Sequence, residues 1–263
     1  MEEVSAMTTT EKDYNPKAFT PPKERFLYRV KFTKGEEVKF IGHLDIMRLF
    51  QRAIKRAKLP VAYSQGFNPH QLLSFASPLT LGTTSEGEYG DFEMARKINP
   101  QTLVDSLNEV LPRGVRVISA VPMKNQAEKA MAAMAGAEYI IYPEESMTPN
   151  IIEAHLDGFL KQQEIIMMKK TKKDTKATDI RQDIFDMKHI SDGKEPKIYV
   201  FLAAGSQRNL KPSLVMEAFY QYVGLEFFPY RIKYHRLELY RKEGDTLVPL
   251  SEGISDGNGA EPV

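Results

Sequence analysis

An alternation running from Phe26 to Phe32 is followed by a one-sided helix, from about Leu44 to Lys58, that has to stop at Leu59-Pro60. In the strand, Tyr28, Val30 and Phe32 alternate with Leu27, Arg29 and Lys31, the period of a half-buried strand. The extended, turn-rich stretch PVAYSQGFNPHQLLSFASPLTLG comes next. GEYGDFEMARK then reads as a strand, INPQTLVDSLNEVL as a helix started at Asn99-Pro100, and GVRVISAVP as a strand. That order, βαββαβ, is a ferredoxin-like split unit.

The same order recurs further on. AEYIIYP is a strand, NIIEAHLDGFLKQ a helix and EIIMMKKT a strand, followed by a hairpin of IFDMKHI and KIYVFLAA. KPSLVMEAFYQY is a helix with Pro212 near its start, and EFFPYRIKYHRLELY closes the series as a strand. The expected fold is therefore α+β, two tandem ferredoxin-like (βαββαβ) domains over residues 23–123 and 137–250. A helical connector, 124–136, joins them, with a disordered arm at 1–22 and a disordered tail at 251–263.

The chemistry open to the chain is narrowed by composition. The 263 residues hold no cysteine, which removes thiolate metal sites, Fe–S clusters and cysteine nucleophiles together. A formal charge of +1 does not demand a polyanionic partner, so any such contact must be a local patch. No apolar run has the length of a membrane span and no leader opens the chain, so the expectation is a cytoplasmic protein without a membrane partner. There is no GxGxxG, GxxxxGK[ST] or GxSxG, and neither a metal nor a cofactor is expected.

On the helix after the first strand, Ile46, Met47, Leu49, Phe50, Ala53, Ile54 and Ala57 share one arc. Arg48, Arg52, Lys55 and Arg56 share much of the other, with Asp45 the only nearby counter-charge. That face suits a phosphate backbone, and equally an ordinary solvated helix. Arg29 and Lys31, opposite the apolar side of the first strand, extend the same electrostatic surface on the open side of the sheet. KKTKKDTK, residues 169–176, adds five lysines. Arg231, Lys233 and His235 share a face of the last strand. Both of these also match a protected edge strand.

Tyr63, Ser64, Gln65, Gly66, Phe67, Asn68 and His70 differ in kind, placing amides, a hydroxyl, an imidazole and rings around a Gly and an Asn-Pro. With Glu88 they form a candidate ligand or partner loop, or a turn stitched to its own backbone.

The run FIGHLDIMRLFQRAIKRAKLPVAYSQGFNPHQLLSFASPLTLGTTSEGEYGDFEM, residues 40–94, resembles the bacterial radical SAM-linked proteins. These are a domain of unknown function found beside, or fused to, a cobalamin-binding-type radical SAM protein. FIGHLD, the FQRA and KRA helix, AYSQGFNPH, SFASPL and SEGEY carry the likeness, and it continues more loosely from Asp179-Ile180-Arg181, where Gln182 stands in place of the family's proline. The resemblance implies an accessory role to a radical SAM enzyme on a separate chain. This chain lacks the cysteines that such an enzyme's cluster needs. A more distant resemblance, of fold and position, is to the CRISPR RNA-processing endoribonucleases, and it implies a metal-independent cleavage with His43 as base and Lys55 or Arg52 as charge stabiliser.

Three functions therefore stand side by side: a non-catalytic RNA-binding accessory subunit, a protein–protein adaptor for the radical SAM protein, and a ribonuclease.

Overall fold

A computed structural model describes residues 25–170, 175–193 and 195–255. The arm at 1–22 and the residues from 256 onward lie outside them, as does the middle of the lysine-rich stretch, 171–174.

The protein is α+β, built on one large mixed sheet. Strand β1 (Phe26–Lys34) leads through helix α1 (His43–Arg56) and the short β2 (Leu73–Phe75) to β3 (Thr84–Met94), α2 (Pro100–Asn108) and β4 (Val115–Pro122). Then follow α3 (Ala130–Ala133), β5 (Met134–Tyr142), α4 (Pro149–Leu160), β6 (Ile166–Lys170), β7 (Thr175–Asp179), β8 (Ile184–His189) and β9 (Ile198–Ala203). The chain closes with α5 (Pro212–Val223), β10 (Lys233–Glu243) and β11 (Thr246–Pro249). Three helices begin where proline permits. Asn99 caps α2, accepting from the Gln101 amide at 2.8 Å, Thr148 caps α4, and α5 opens on Pro212 and ends at Gly224 with φ +83°.

The strands lie in the order β4-β1-β3-β10-β5-β9-β8, with β2 beside β3 and β11 beside β10, while β6 and β7 form a separate two-stranded ribbon. The first half alone is ordered β4-β1-β3-β2 and the second β10-β5-β9-β8. All neighbours are antiparallel except β3 and β10, which run parallel and register only at Thr84↔His235 and Ser85↔Arg236. That short junction joins the two halves into a single sheet.

One face of the sheet is packed by the helices in two clusters. Tyr28, Val30 and Phe32 of β1 meet Ile46, Phe50, Ala53 and Ile54 of α1 and Leu103, Val104 and Leu107 of α2. The rings of Phe32, Phe50, Phe75 and Phe92 lie at centroid spacings of 4.7–6.0 Å. In the second half, Ala137, Tyr139 and Ile141 of β5 and Ile198, Val200 and Leu202 of β9 pack on α4 and α5.

The opposite face departs from the half-buried expectation. Over the first half it is covered by residues 123–130 and by the C-terminal segment, so β1 is buried on both sides. Arg29, expected to face solvent, has no exposed surface. Its guanidinium makes a two-toothed ion pair with Asp91 (2.8 and 3.1 Å) and donates to the carbonyls of Leu250 (2.9 Å) and Glu128 (2.7 Å). Asp91 also accepts from the Ala130 amide at 2.7 Å. Residues 251–255, expected in the tail, are described, and Ile254 is buried with Leu27 and Met123. The connector is also shorter than expected. Its helix ends at Ala133 and β5 starts at Met134, which places Gly136 inside the strand, where a Cβ would stand 2.8 Å from the Phe201 ring.

Candidate nucleic-acid interface

The apolar arc of α1 sinks Ile46, Phe50, Ala53 and Ile54 into the core, and that burial leaves Arg48, Arg52, Lys55 and Arg56 in solvent. Arg48 pairs with Asp45 at 3.1 Å, both well exposed, so the contact does little to hold it. Arg56 donates to the Val110 carbonyl at 2.6 Å. Arg52 and Lys55 form no ion pair among the described residues. The helix ends at Arg56, and Lys58, two residues on, takes the left-handed region (φ +52°) before Pro60, which sends the chain into the signature loop.

That loop is closed by its own residues. The Ser64 amide donates to the His70 carbonyl at 2.8 Å, and the His70 amide donates to the Ser64 hydroxyl at 3.0 Å. The same hydroxyl lies 2.8 Å from His70 Nδ1. Inside this clasp Gly66 takes φ +117°, and Gln65, Asn68 and Phe67 point outward, Phe67 wholly exposed. Tyr63 is half-exposed. The Gln71 amide donates to the Gln51 carbonyl at 3.3 Å, which seats the loop against the middle of α1, and lies 3.5 Å from the Tyr63 hydroxyl. Gln71 thus ties the base of the loop to α1.

Other expected members stand elsewhere. Lys31 is on the covered face, paired with Glu238 at 2.6 Å. Glu88 does not belong to the loop: it is buried on β3, bonded to Arg236 at 3.0 and 3.3 Å. His43 is half-buried at the start of α1 with its ring edge-on to Phe75, centroids 6.0 Å apart. At 1.5 Å per residue, Arg52 and Lys55 lie about 13 and 18 Å further along the helix axis, so the ribonuclease trio is not assembled. Lys169 donates to the Asn209 carbonyl at 2.7 Å. No group of three or more His, Asp or Glu among the described residues is placed to hold a metal ion.

A cluster that the sequence did not announce lies at the β3–β10 junction. Arg236 reaches Glu88 across it and the Tyr139 hydroxyl at 3.1–3.2 Å. Burial works to lower the Arg236 guanidinium, and Glu88 together with Tyr139 more than offsets it, leaving the group above its usual value. Lys34, buried on β1, donates to the Lys39 carbonyl at 2.9 Å. Burial pushes its amine below the usual lysine value, Glu88 opposes that shift, and Arg236 adds to it. Beside Lys34 opens a cleft of about 1190 Å³ between the two halves, lined by Thr84, Glu86, Glu144, Arg231 and His235 among others. There the Thr84 hydroxyl lies 2.7 Å from His235 Nδ1, and Glu86 lies 3.4 Å from Nε2.

Because the folded state holds Lys34 with a lowered pKa, the unfolded chain binds more protons there. Stability contributed at this site is therefore expected to rise as pH climbs toward about 10.5, where the unfolded lysine loses its own proton. Urea midpoints from neutral to alkaline pH, for the protein and for Lys34→Met, check this. The variant loses that upward slope, and identical pH profiles would contradict the assignment.

The family described as an uncharacterized protein conserved in bacteria (DUF2344) matches residues 27–212. The chain belongs to this family. The match covers the basic helix, the loop and all of the first half of the sheet but Phe26, and it ends at Pro212, before β10. No curated protein sequence matches the chain. Among solved structures, a chain of the archaeal box H/ACA sRNP Nop10–Cbf5 complex is similar over 90% of this chain and 57% of its own length, at 12% identity and a TM-score of 0.38. A protein described as unknown from Galdieria sulphuraria is similar over 81% of this chain and 98% of its own, at 11% identity and a TM-score of 0.24. No helix among the described residues is long and apolar enough to cross a membrane.

Proposed function

We propose that this member of the family is an accessory RNA-binding subunit that works with a radical SAM enzyme on a separate chain and supplies no chemistry of its own. One observation carries the RNA part. The exposed cations Arg48, Arg52, Lys55 and Arg56 lie on the helix to which Gln71 ties a clasped loop that presents Phe67 fully to solvent. Cations that follow a backbone next to a ring that takes a base are the two elements of single-strand recognition. The radical SAM part is supported by the sequence resemblance over residues 40–94. The strand orders β4-β1-β3-β2 and β10-β5-β9-β8 favour reading the scaffold as two ferredoxin-like units fused edge to edge.

Replacing Arg48, Arg52 and Lys55 together by glutamine is expected to weaken single-stranded RNA binding and to reduce the slope of log K against log salt by about 2. Phe67→Ala is expected to weaken binding with the slope unchanged. A titration of labelled RNA at several salt concentrations reads both, and an unaltered slope in the triple variant defeats the electrostatic account.

The adaptor reading is favoured by a different observation, the exposed Phe40, Leu44 and Leu81 around the start of α1. A stable complex with the radical SAM protein that Phe40→Ser disrupts, in a protein that shifts no RNA at low salt, would replace the first reading with this one.

A further inference from the structure

The sheet face that the sequence led us to expect as open is covered, and the face that is open belongs to the second half. Along β9, Ile198, Val200 and Leu202 are buried against the helices, so the alternate residues Tyr199 and Phe201 come out on the opposite side. Among the described residues no helix packs there. Phe201 meets Phe185 of β8 at 5.3 Å and Tyr240 of β10 at 4.8 Å, centroid to centroid. Tyr199 has the Lys188 ammonium 5.7 Å from its ring centroid. Phe185 and Lys188 are exposed, and the other three rings are partly buried.

The rings are held in place. The Tyr199 hydroxyl donates to Glu138 at 2.5 Å, and Tyr240 shares the same carboxylate. Burial and that carboxylate push both phenols above their usual range, so each keeps its proton as a donor. Glu138 is thus engaged by two phenols. Gly136 completes the arrangement, since its missing side chain is the space the Phe201 ring fills.

We propose that this face is a base-stacking platform for single-stranded RNA, a second contact that rests on the RNA-binding reading above. The rings favour RNA over a protein occupant. Tyr199 and Phe201, two positions apart on one strand, stand about 6.6 Å apart, each offering a ring to a base. Asp186 and Lys188 are paired with one another and Glu138 with the phenols, so the rings carry the contact. Lys188, paired with Asp186 beside Tyr199, supplies a cation at the rim. An occupant held by stacking depends little on salt, whereas the α1 contact depends on it strongly.

The test is photocrosslinking of a mixed-sequence single-stranded RNA containing 4-thiouridine to the full chain, with the crosslinked peptides identified by mass spectrometry. It is paired with RNA titrations of Phe201→Leu, a substitution that keeps apolar volume and removes the ring. Crosslinks at Phe185, Tyr199, Phe201 or Tyr240, with roughly tenfold weaker binding by Phe201→Leu at an unchanged salt slope, support the platform. Crosslinks confined to residues 48–70, with Phe201→Leu binding like the parent, overturn the platform and leave the α1 interface standing. No RNA binding by the parent chain overturns both. Phe185→Ser, on the exposed margin of the patch, serves as the second variant should Phe201→Leu fail to fold.

Discussion

Arg29→Ala is expected to lower the unfolding free energy by about 3–5 kcal/mol, the largest loss we anticipate from a single side chain in this protein. The guanidinium is fully buried, and its partner Asp91 is nearly so. Removing it leaves an uncompensated carboxylate in the interior and two carbonyls, Leu250 and Glu128, without their donors. The effect is also spatially defined. Those carbonyls belong to the C-terminal segment and to the connector, so the substitution releases the two pieces of chain that cover the back of β1 and β3. Urea unfolding gives the magnitude, and limited proteolysis near residues 124–130 and 250–255 gives the place. The double variant Arg29→Met with Asp91→Leu is expected to recover much of the loss, because apolar pairs of similar volume replace buried ion pairs at little cost. A single-variant loss below about 1 kcal/mol would show that the pair is not what holds the cover down.

Gly87→Ala is expected to come next, at about 3 kcal/mol. A Cβ at this position on β3 would lie 2.5 Å from the Leu237 carbonyl oxygen and 2.6 Å from the Glu238 Cα. Those are backbone atoms of β10, which cannot swing aside as a side chain can. The strand must move outward, and the registered pair Thr84 with His235 and the ion pairs Glu88 with Arg236 and Lys31 with Glu238 move with it. Hydrogen exchange is the discriminating measurement. Amides near 84–88 and 235–239 are expected to exchange faster while those of α1 and β1 keep their protection. Uniform acceleration across the chain would instead indicate global destabilisation, and no change at all would mean that β3 and β10 do not meet as closely as described.

Much of the scaffold was legible because short-range physics decides it. The alternation in β1, the amphipathic arc of α1, the Asn99-Pro100 start of α2 and the Pro212 start of α5 each depend on neighbours a few residues away, and each element stands where the pattern put it. The cationic side of α1 follows from the same arc, since burying Ile46, Phe50, Ala53 and Ile54 dictates what is left outside. The exposed setting of Phe67 follows from the loop's composition around Gly66 and Asn68-Pro69.

What an alternating strand cannot encode is whether anything covers its second face. Arg29 and Arg236 have the same local appearance as Lys31 and Lys233, a cation in an alternating strand. Arg29 and Arg236 are interior only because Asp91 and Glu88 are brought to them from 62 and 148 residues away. Phe201 was visible opposite Val200 and Leu202, and reading β9 by period would have turned it outward, yet its neighbours Phe185 and Tyr240 come from other strands. Local periodicity and backbone chemistry set most of the longer elements and the charged side of the first helix, though not β7 or β11. Which sheet face is closed, which is open, and that the two halves share one sheet depend instead on pairings between distant segments whose partners no local pattern names.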